Sequence, residues 1–417
     1  MRRLLCPAIM LALTVLVPLV ASAQTRAELL ERVLAEAGKL REPAQQALAL
    51  AEVAQVAQSL GEARWEKALA DAVAAAGQIE EPVSKVMTWR GLAVRTWSWQ
   101  PELARQLLDR ALKAARDLPY AAHRSLTLRE IGRSLAELDK PAAPAVFAES
   151  LAAAEKIDSP LFRAAALRDL ATAWQPVEAA QSEKLFAEAA TALAAVQPPD
   201  DPVQLARVEL VVSWSGDNLT AALAEGATIP DERLRETCTR RVVEALAPTD
   251  PEAALQVAGK IHDPGQRALA MAALAEALAP SQAETAAGMA RSALELGAGL
   301  APEDLARLQS AAALALARLD LKESLELAAK IEDELTAGRT VGRIAEAIAQ
   351  SDPVLAAQIA AKIDDWDTRE ATEAELAPLL AVKDLPAAVK LIDGLLSRRA
   401  KVRALLQVIT VMKTSLG

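Results

Sequence analysis

The sequence predicts an all-α protein, an α-α superhelix of the solenoid kind with about 11 helical hairpins. Three observations carry that prediction. Alanine, leucine and glutamate dominate, while 417 residues hold one tyrosine, three phenylalanines and two histidines; this is a helix former's composition. Isoleucine and valine do not alternate with polar residues over strand-length windows. The chain also repeats itself. An apolar anchor recurs at Leu40, Ile79, Leu118, Ile157, Val196, Ile229, Ile261, Leu300, Ile331, Ile363 and Leu395, in steps near 39 or near 32 residues.

A second apolar landmark closes the second helix of each pair, at Trp97, Leu138, Trp174, Trp214, Leu246, Leu278, Leu319, Ile348 and Leu380. From it to the next anchor runs 19 to 22 residues in long units and 12 to 15 in short ones. The first helix of a pair therefore varies by about two turns, and the second stays constant.

The elements follow in order. Residues 1–23 read as a secretory signal peptide: Arg2 and Arg3, an apolar run from Leu4 to Val20, then Ala-Ser-Ala before Gln24. Cleavage near Ala23/Gln24 places the chain in the periplasm or outside the cell. The apolar run is short for a membrane span and does not recur, so no span is expected in the mature chain. Removing Arg2 and Arg3 leaves 44 basic and 56 acidic residues, a formal charge of −12. That balance argues against nucleic acid and anionic membrane surfaces as partners. Cys238 alone remains after cleavage, so no intramolecular disulfide forms.

Residues 24–197 hold the long repeats and 198–417 mostly short ones. Between them "VQPPDDPVQ", 196–204, predicts a bend. Asp-Pro or Glu-Pro marks helix starts at 42–43, 81–82, 201–202, 250–251, 263–264 and 352–353. The acid caps open amides and proline fits the first turn. The terminal "AKVRALLQVITVMKTSLG" is more apolar than a polar capping helix, which favours a partner or self-association there.

The stretches "DPGQRALAMAALA" and "DERLRETCTRRVVEAL" resemble the second helix of a HEAT unit. The chain as a whole resembles α-solenoids of the tetratricopeptide and HEAT kind. The resemblance implies the fold and a tendency to bind proteins; it assigns no functional residues.

Candidate residues divide into repeat chemistry and surface chemistry. Counting from the anchors, an acid at plus two and a base at plus six recur as Glu81/Lys85, Asp231/Arg235, Asp263/Arg267 and Asp365/Arg369. We expect a capping acid that pairs with the base one turn on. Trp89, Trp97, Trp99 and Trp366 are nominated as partner or ligand contacts. His123 and His262 lack metal spacing, and the Asp364, Asp365, Asp367 cluster lacks a calcium loop's glycine and distal glutamate. No metal, cofactor or catalytic set is expected. The function expected is an exported, non-enzymatic scaffold for a protein or peptide in the cell envelope. A polysaccharide-binding or -processing protein using the N-terminal tryptophans is the alternative. A structural subunit of an envelope complex is a third.

Overall fold

The structure, a computed structural model, describes residues 25–196 and 201–414. The expected signal peptide and residues 197–200 of the expected bend lie outside them. The described residues form 22 α-helices and one short 3-10 turn, with no strand.

The first helices of the repeats are α1 (25–38), α3 (Trp65–Gly77), α5 (Pro101–Arg116), α7 (Ala143–Ala154), α9 (Ala179–Ala194), α11 (Leu219–Gly226), α13 (Pro251–Ala258), α15 (Ala283–Leu296), α17 (Leu321–Ala328), α19 (Pro353–Ala360) and α21 (Leu385–Gly394). The second helices are α2 (Pro43–Ser59), α4 (Pro82–Thr96), α6 (Ala121–Leu138), α8 (Pro160–Trp174), α10 (Asp201–Ser215), α12 (Glu232–Leu246), α14 (Pro264–Leu278), α16 (Pro302–Leu316), α18 (Glu334–Ala349), α20 (Trp366–Lys383) and α22 (Arg398–Thr414). The length rule read from the sequence holds. Four first helices, α11, α13, α17 and α19, have 8 residues, whereas α5 and α9 have 16.

The anchors do the work their spacing implies. Ile79, Leu118, Ile157, Ile229, Ile261, Ile331, Ile363 and Leu395 are buried in the turn between the two helices. At several of these turns the next helix starts on a side-chain cap. Glu81, Ser159, Asp231 and Asp263 accept amide hydrogens of their own first turns. Asn218, Asp250, Asp320, Asp352 and Asp384 do the same for the short first helices. Among the described residues the one left-handed position is Gly61 at φ 75°, after α2. There Gly61 and Glu62 donate to the carbonyls of Gln58 and Ala57, closing the helix as a Schellman turn.

The expected ion pairs at plus two and plus six give way to caps and turn bonds. The Glu81 carboxylate accepts the Val83 and Ser84 amides. Lys85 meets Glu81 only through the backbone, its amide donating to the Glu81 carbonyl at 2.9 Å, and no Glu81/Lys85 ion pair forms. Asp263 likewise caps Gln266 N, while the exposed Arg267 bonds Asp263 only by its amide to the carbonyl, at 3.0 Å. Asp231 accepts from Leu234 N, and Arg235 turns back to donate to the Ile229 and Pro230 carbonyls. In each case the acid's oxygens face open amides at the helix start, which draws them away from the base one turn on. Arg124 and Arg163 bind the anchor carbonyls of Leu118 and Ile157 as Arg235 does. An anchor carbonyl at a turn needs a donor, and the guanidinium reaches it.

Other residues tie the repeats together. Arg116 grips Glu149 with two 2.7 Å bonds from α5 to α7, and Arg291 grips Glu323 from α15 to α17. These guanidinium bonds hold the Glu149 and Glu323 carboxyls below their ordinary range. A carboxyl lowered on folding stabilises above its unfolded pKa, and that contribution fades as pH falls through the folded value. Glu149→Gln is thus expected to flatten the decline in melting temperature between about pH 5 and about pH 3. An unchanged slope in a thermal titration refutes the clasp.

The tightest packing in most repeats joins a second helix to the first helix of the following repeat, as in α4 with α5 and α6 with α7. Successive second helices also lie against each other: α4, α6, α8, α10, α12, α14 and α16 form one row. Close approach in these layers needs small residues. A methyl on Gly132 of α6 would run into the Phe147 ring of α7, while one on Gly288 of α15 meets nothing within 4 Å. Gly132→Ala is therefore expected to destabilise by about 1–3 kcal/mol through overpacking. Gly288→Ala is expected to stabilise by about 0.5–1 kcal/mol through helix propensity. Opposite-signed shifts in denaturant midpoints check both.

The chain forms two compact units. One holds Glu81–Ile348 with Ile363–Asp365, and runs across the 197/198 division between long and short repeats. The other joins Met1–Glu80 to Ala349–Lys362 and Trp366–Gly417. The fourth expected pair, Asp365/Arg369, is split between them. On α20 burial raises the Glu373 carboxyl pKa, and the Arg369 charge opposes that rise. In this second unit α22 packs on both α20 and α2. Arg32 pairs with Asp393, and Arg398 bonds the Lys39 carbonyl at 3.2 Å and faces Glu36 at 3.5 Å. The buried apolar residues of the last helix thus face α20 and α2 of the same chain.

Candidate functional site

Arg90, Arg129 and Arg168 stand 39 residues apart, each at plus eleven from its anchor. Equal spacing puts them side by side on α4, α6 and α8. Arg90 donates to Ser134 Oγ at 2.9 Å and lies 4.0 Å from Glu130. Glu130 meets Arg129 at 3.1 Å and Arg133 at 3.6 Å. Arg129 reaches on to Asp169 at 2.6 Å, which also holds Arg168 at 2.7 Å. Four guanidiniums thus share two carboxylates across three helices. Burial depresses the Arg90 pKa, with Glu130 opposing, and its Nε is buried without a hydrogen-bond partner. The charge is not balanced nearby on these helices. Together α4, α6 and α8 carry eight Lys and Arg against three Asp and Glu, in a chain whose net charge is −10.

The network opens on one helix face. Residues three, four and seven apart share a face, and on α6 these include exposed His123, Leu126 and Arg133. On α8 the same face begins with Phe162. Tyr120, which precedes α6, is 67% exposed and Phe162 is 66% exposed; His123 stands edge-on to Tyr120 at 5.5 Å. An apolar end therefore leads into a cationic middle, with Glu137 as the acid at the far end.

The tryptophans nominated from the sequence fall elsewhere. Trp89 is buried, not a surface contact, with the Arg110 guanidinium 5.3 Å from its ring centre. Trp97 is half-buried under Arg105 at 5.7 Å. The Trp99 indole donates to the Arg95 carbonyl at 2.7 Å. Trp89 packs mid-helix in α4 and Trp97 and Trp99 at its end, and arginine side chains of the same chain lie over Trp89 and Trp97. Trp174 and Trp214 do the same against Phe147 and Phe186. Trp366, at the start of α20, is 42% exposed and is the one nominee with an open ring.

His262 is exposed and faces Glu236 at 3.3 Å. Among the described residues no His, Cys, Asp and Glu group has the arrangement of a metal site. Burial pushes the Cys238 thiol up to about 12. Only the thiolate attacks, so native Cys238 is expected to resist a thiol reagent at neutral pH and to react fully once denatured; stoichiometric labelling of folded protein would refute this. The other unit holds a cleft of 660 Å³ between α1 and α3, floored by Gln46 and Leu50 of α2 and edged by Arg64, Lys67 and Asp71. Arg64 there is engaged by Glu31 at 2.7 Å.

No described helix is long and apolar enough to cross a membrane. No family model matches the chain, and no curated protein does. Among solved structures the chain is similar to Ton1535 from Thermococcus onnurineus NA1, with 16% identity over 82% of this chain and 96% of that one, at a TM-score of 0.36. A likeness that distant transfers no property, and what stands is an all-α helical-repeat protein defined by its own geometry.

Proposed function

We propose that the chain is an exported, non-enzymatic scaffold that binds a protein or peptide partner in the cell envelope. The observation that carries this reading is the exposed face of α6 and α8. It is extended, it runs across adjacent repeats, and it joins exposed aromatic rings to arginines left in surplus by their own network. Row-like faces of stacked helices suit extended partners. The polysaccharide reading rests on Trp89, Trp97 and Trp99, whose rings are buried, lie under arginines or bond the backbone, so it draws less support.

Two measurements test the proposal. The mass of the protein recovered from the source cells' envelope should correspond to a start at Gln24. A photo-crosslinking residue at position 162 should capture one defined protein, and the same probe at position 288 of α15 should not. Equal capture at both positions, or turnover of an envelope glycan by the purified protein, overturns it.

A further inference from the structure

We infer that the partner segment is an acidic peptide carrying an apolar or aromatic residue. Its carboxylates would lie on Arg133 and Arg168 and its apolar side chain on Tyr120 and Phe162. This rests on the scaffold reading above and names the chemistry that the same face selects.

Charge is the first argument. The α4, α6 and α8 row carries a surplus of five positive charges on a chain that is acidic elsewhere. Structural salt bridges alone need equal numbers, and here Glu130 and Asp169 must serve four guanidiniums. Arg133 is the most open of the four, with 58% of its side chain exposed. Guanidinium forks fit carboxylates in bidentate fashion, and partly buried ones lose less to water.

Position is the second argument. Leu126 is one turn from Arg129 and Glu130 and two turns from Arg133 on α6, and Phe162 is two turns from Asp169 on α8. Exposed large rings on such a face are where contact area is gained, since aromatics supply much of an interface's affinity. A strand or helix of peptide lying across α6 and α8 would meet both chemistries within a few residues.

The occupant is a peptide in preference to a bulk polyanion because the cationic network is finite. Acids at Glu137 and Asp169 interrupt it, and it ends at an aromatic edge. Nucleic acid would require a longer run of phosphate contacts.

The test uses the full-length mature chain and fluorescence anisotropy. One labelled peptide is rich in glutamate with leucine and phenylalanine. A second replaces each glutamate by lysine, and a third replaces the apolar residues by serine. The first should bind most tightly, with affinity falling as salt rises. Arg133→Glu should weaken it about tenfold or more, the scale of one reversed charge contact. Phe162→Ser should weaken it about threefold. Phe162→Ser should leave circular dichroism and melting unchanged; Arg133→Glu sets a second carboxylate beside Glu130, so its fold is checked by circular dichroism, and Arg133→Lys should retain the ion pair and most binding.

The proposal is overturned if the lysine peptide binds as well. It is equally overturned if neither variant changes affinity, or if single-stranded DNA or anionic vesicles compete at the same charge concentration. Its failure is separable from failure of the scaffold reading. A partner captured from position 162 that is basic or uncharged leaves the scaffold standing and removes the acidic peptide. The absence of any captured partner removes the scaffold, whatever the peptides do.

Discussion

A chain ended at Ser397 is expected to lose the fold of its first three helices, although they lie far away at the other end of the sequence. Helix α22 buries Val402, Leu405, Leu406, Val408 and Ile409. It lies against α2, whose Leu50, Val53 and Ala54 are buried in the same unit. Each aliphatic side chain removed from water contributes about 1.5–3 kcal/mol. Five of them sum to roughly 8–15 kcal/mol, as much as the whole stability of a typical domain. The loss also breaks Arg398 from Lys39 and Glu36. Helical ellipticity should therefore fall beyond the share of the deleted residues. Limited proteolysis should release peptides from 25–80 and 366–394 before any from 81–348. Protection of 25–80 in the truncated chain would show that the terminal packing is incidental.

The second large effect is expected at Glu130. Its side chain is only 14% exposed and lies near three guanidiniums, those of Arg129, Arg133 and Arg90. Glu130→Gln keeps the shape and removes the charge. Taking one partner from a buried pair costs about 3–5 kcal/mol, because the remaining charge stays desolvated. Asp169 still compensates Arg129, so about 2–4 kcal/mol is expected by chemical denaturation. Pairing Glu130→Gln with Arg90→Met should recover part of that loss, which a double-mutant cycle measures. Additive effects would mean that Arg90 and Glu130 do not interact. Asp169→Asn should cost less, because Asp169 is more exposed.

The features behind these expectations differ in how legible they are in the sequence. The repeat lengths are legible, because an apolar anchor recurs in the turns, and eight of the eleven anchors are buried while Leu40, Val196 and Leu300 are half-buried. The caps at Glu81, Asp250, Asp263 and Asp352 are legible, because an acid before proline punctuates a helix start, whereas Glu42 has the same pattern and makes no cap bond. The acid–base pairing is misassigned at Glu81/Lys85, Asp231/Arg235 and Asp263/Arg267. Each has the right spacing for a one-turn pair, but open amides claim the acid, and at Arg235 an open carbonyl claims the base. The arginine row is present as a strict 39-residue spacing of Arg90, Arg129 and Arg168. It sits in mid-helix, where no turn residue draws notice. The tryptophans mislead because a sequence does not reveal that Arg105 and Arg110 lie over two of them. The meeting of α2 and α22 leaves no periodic trace at all. Its single sign is an apolar last helix, which reads equally well as a face waiting for another molecule.

That terminal packing also sets a clock. The first helices to be synthesised are the last to complete their core. At about 5–20 residues per second, the remainder of the chain takes roughly 20–70 s to appear after α3. Through that interval α2 carries an uncovered apolar side while the intervening repeats, whose contacts are mostly local, settle within far shorter times. Refolding from denaturant should accordingly show a late phase seen by probes on α2 and absent from probes on α14. A holdase that shields α2 would have its effect there, on yield, with no change in the final stability.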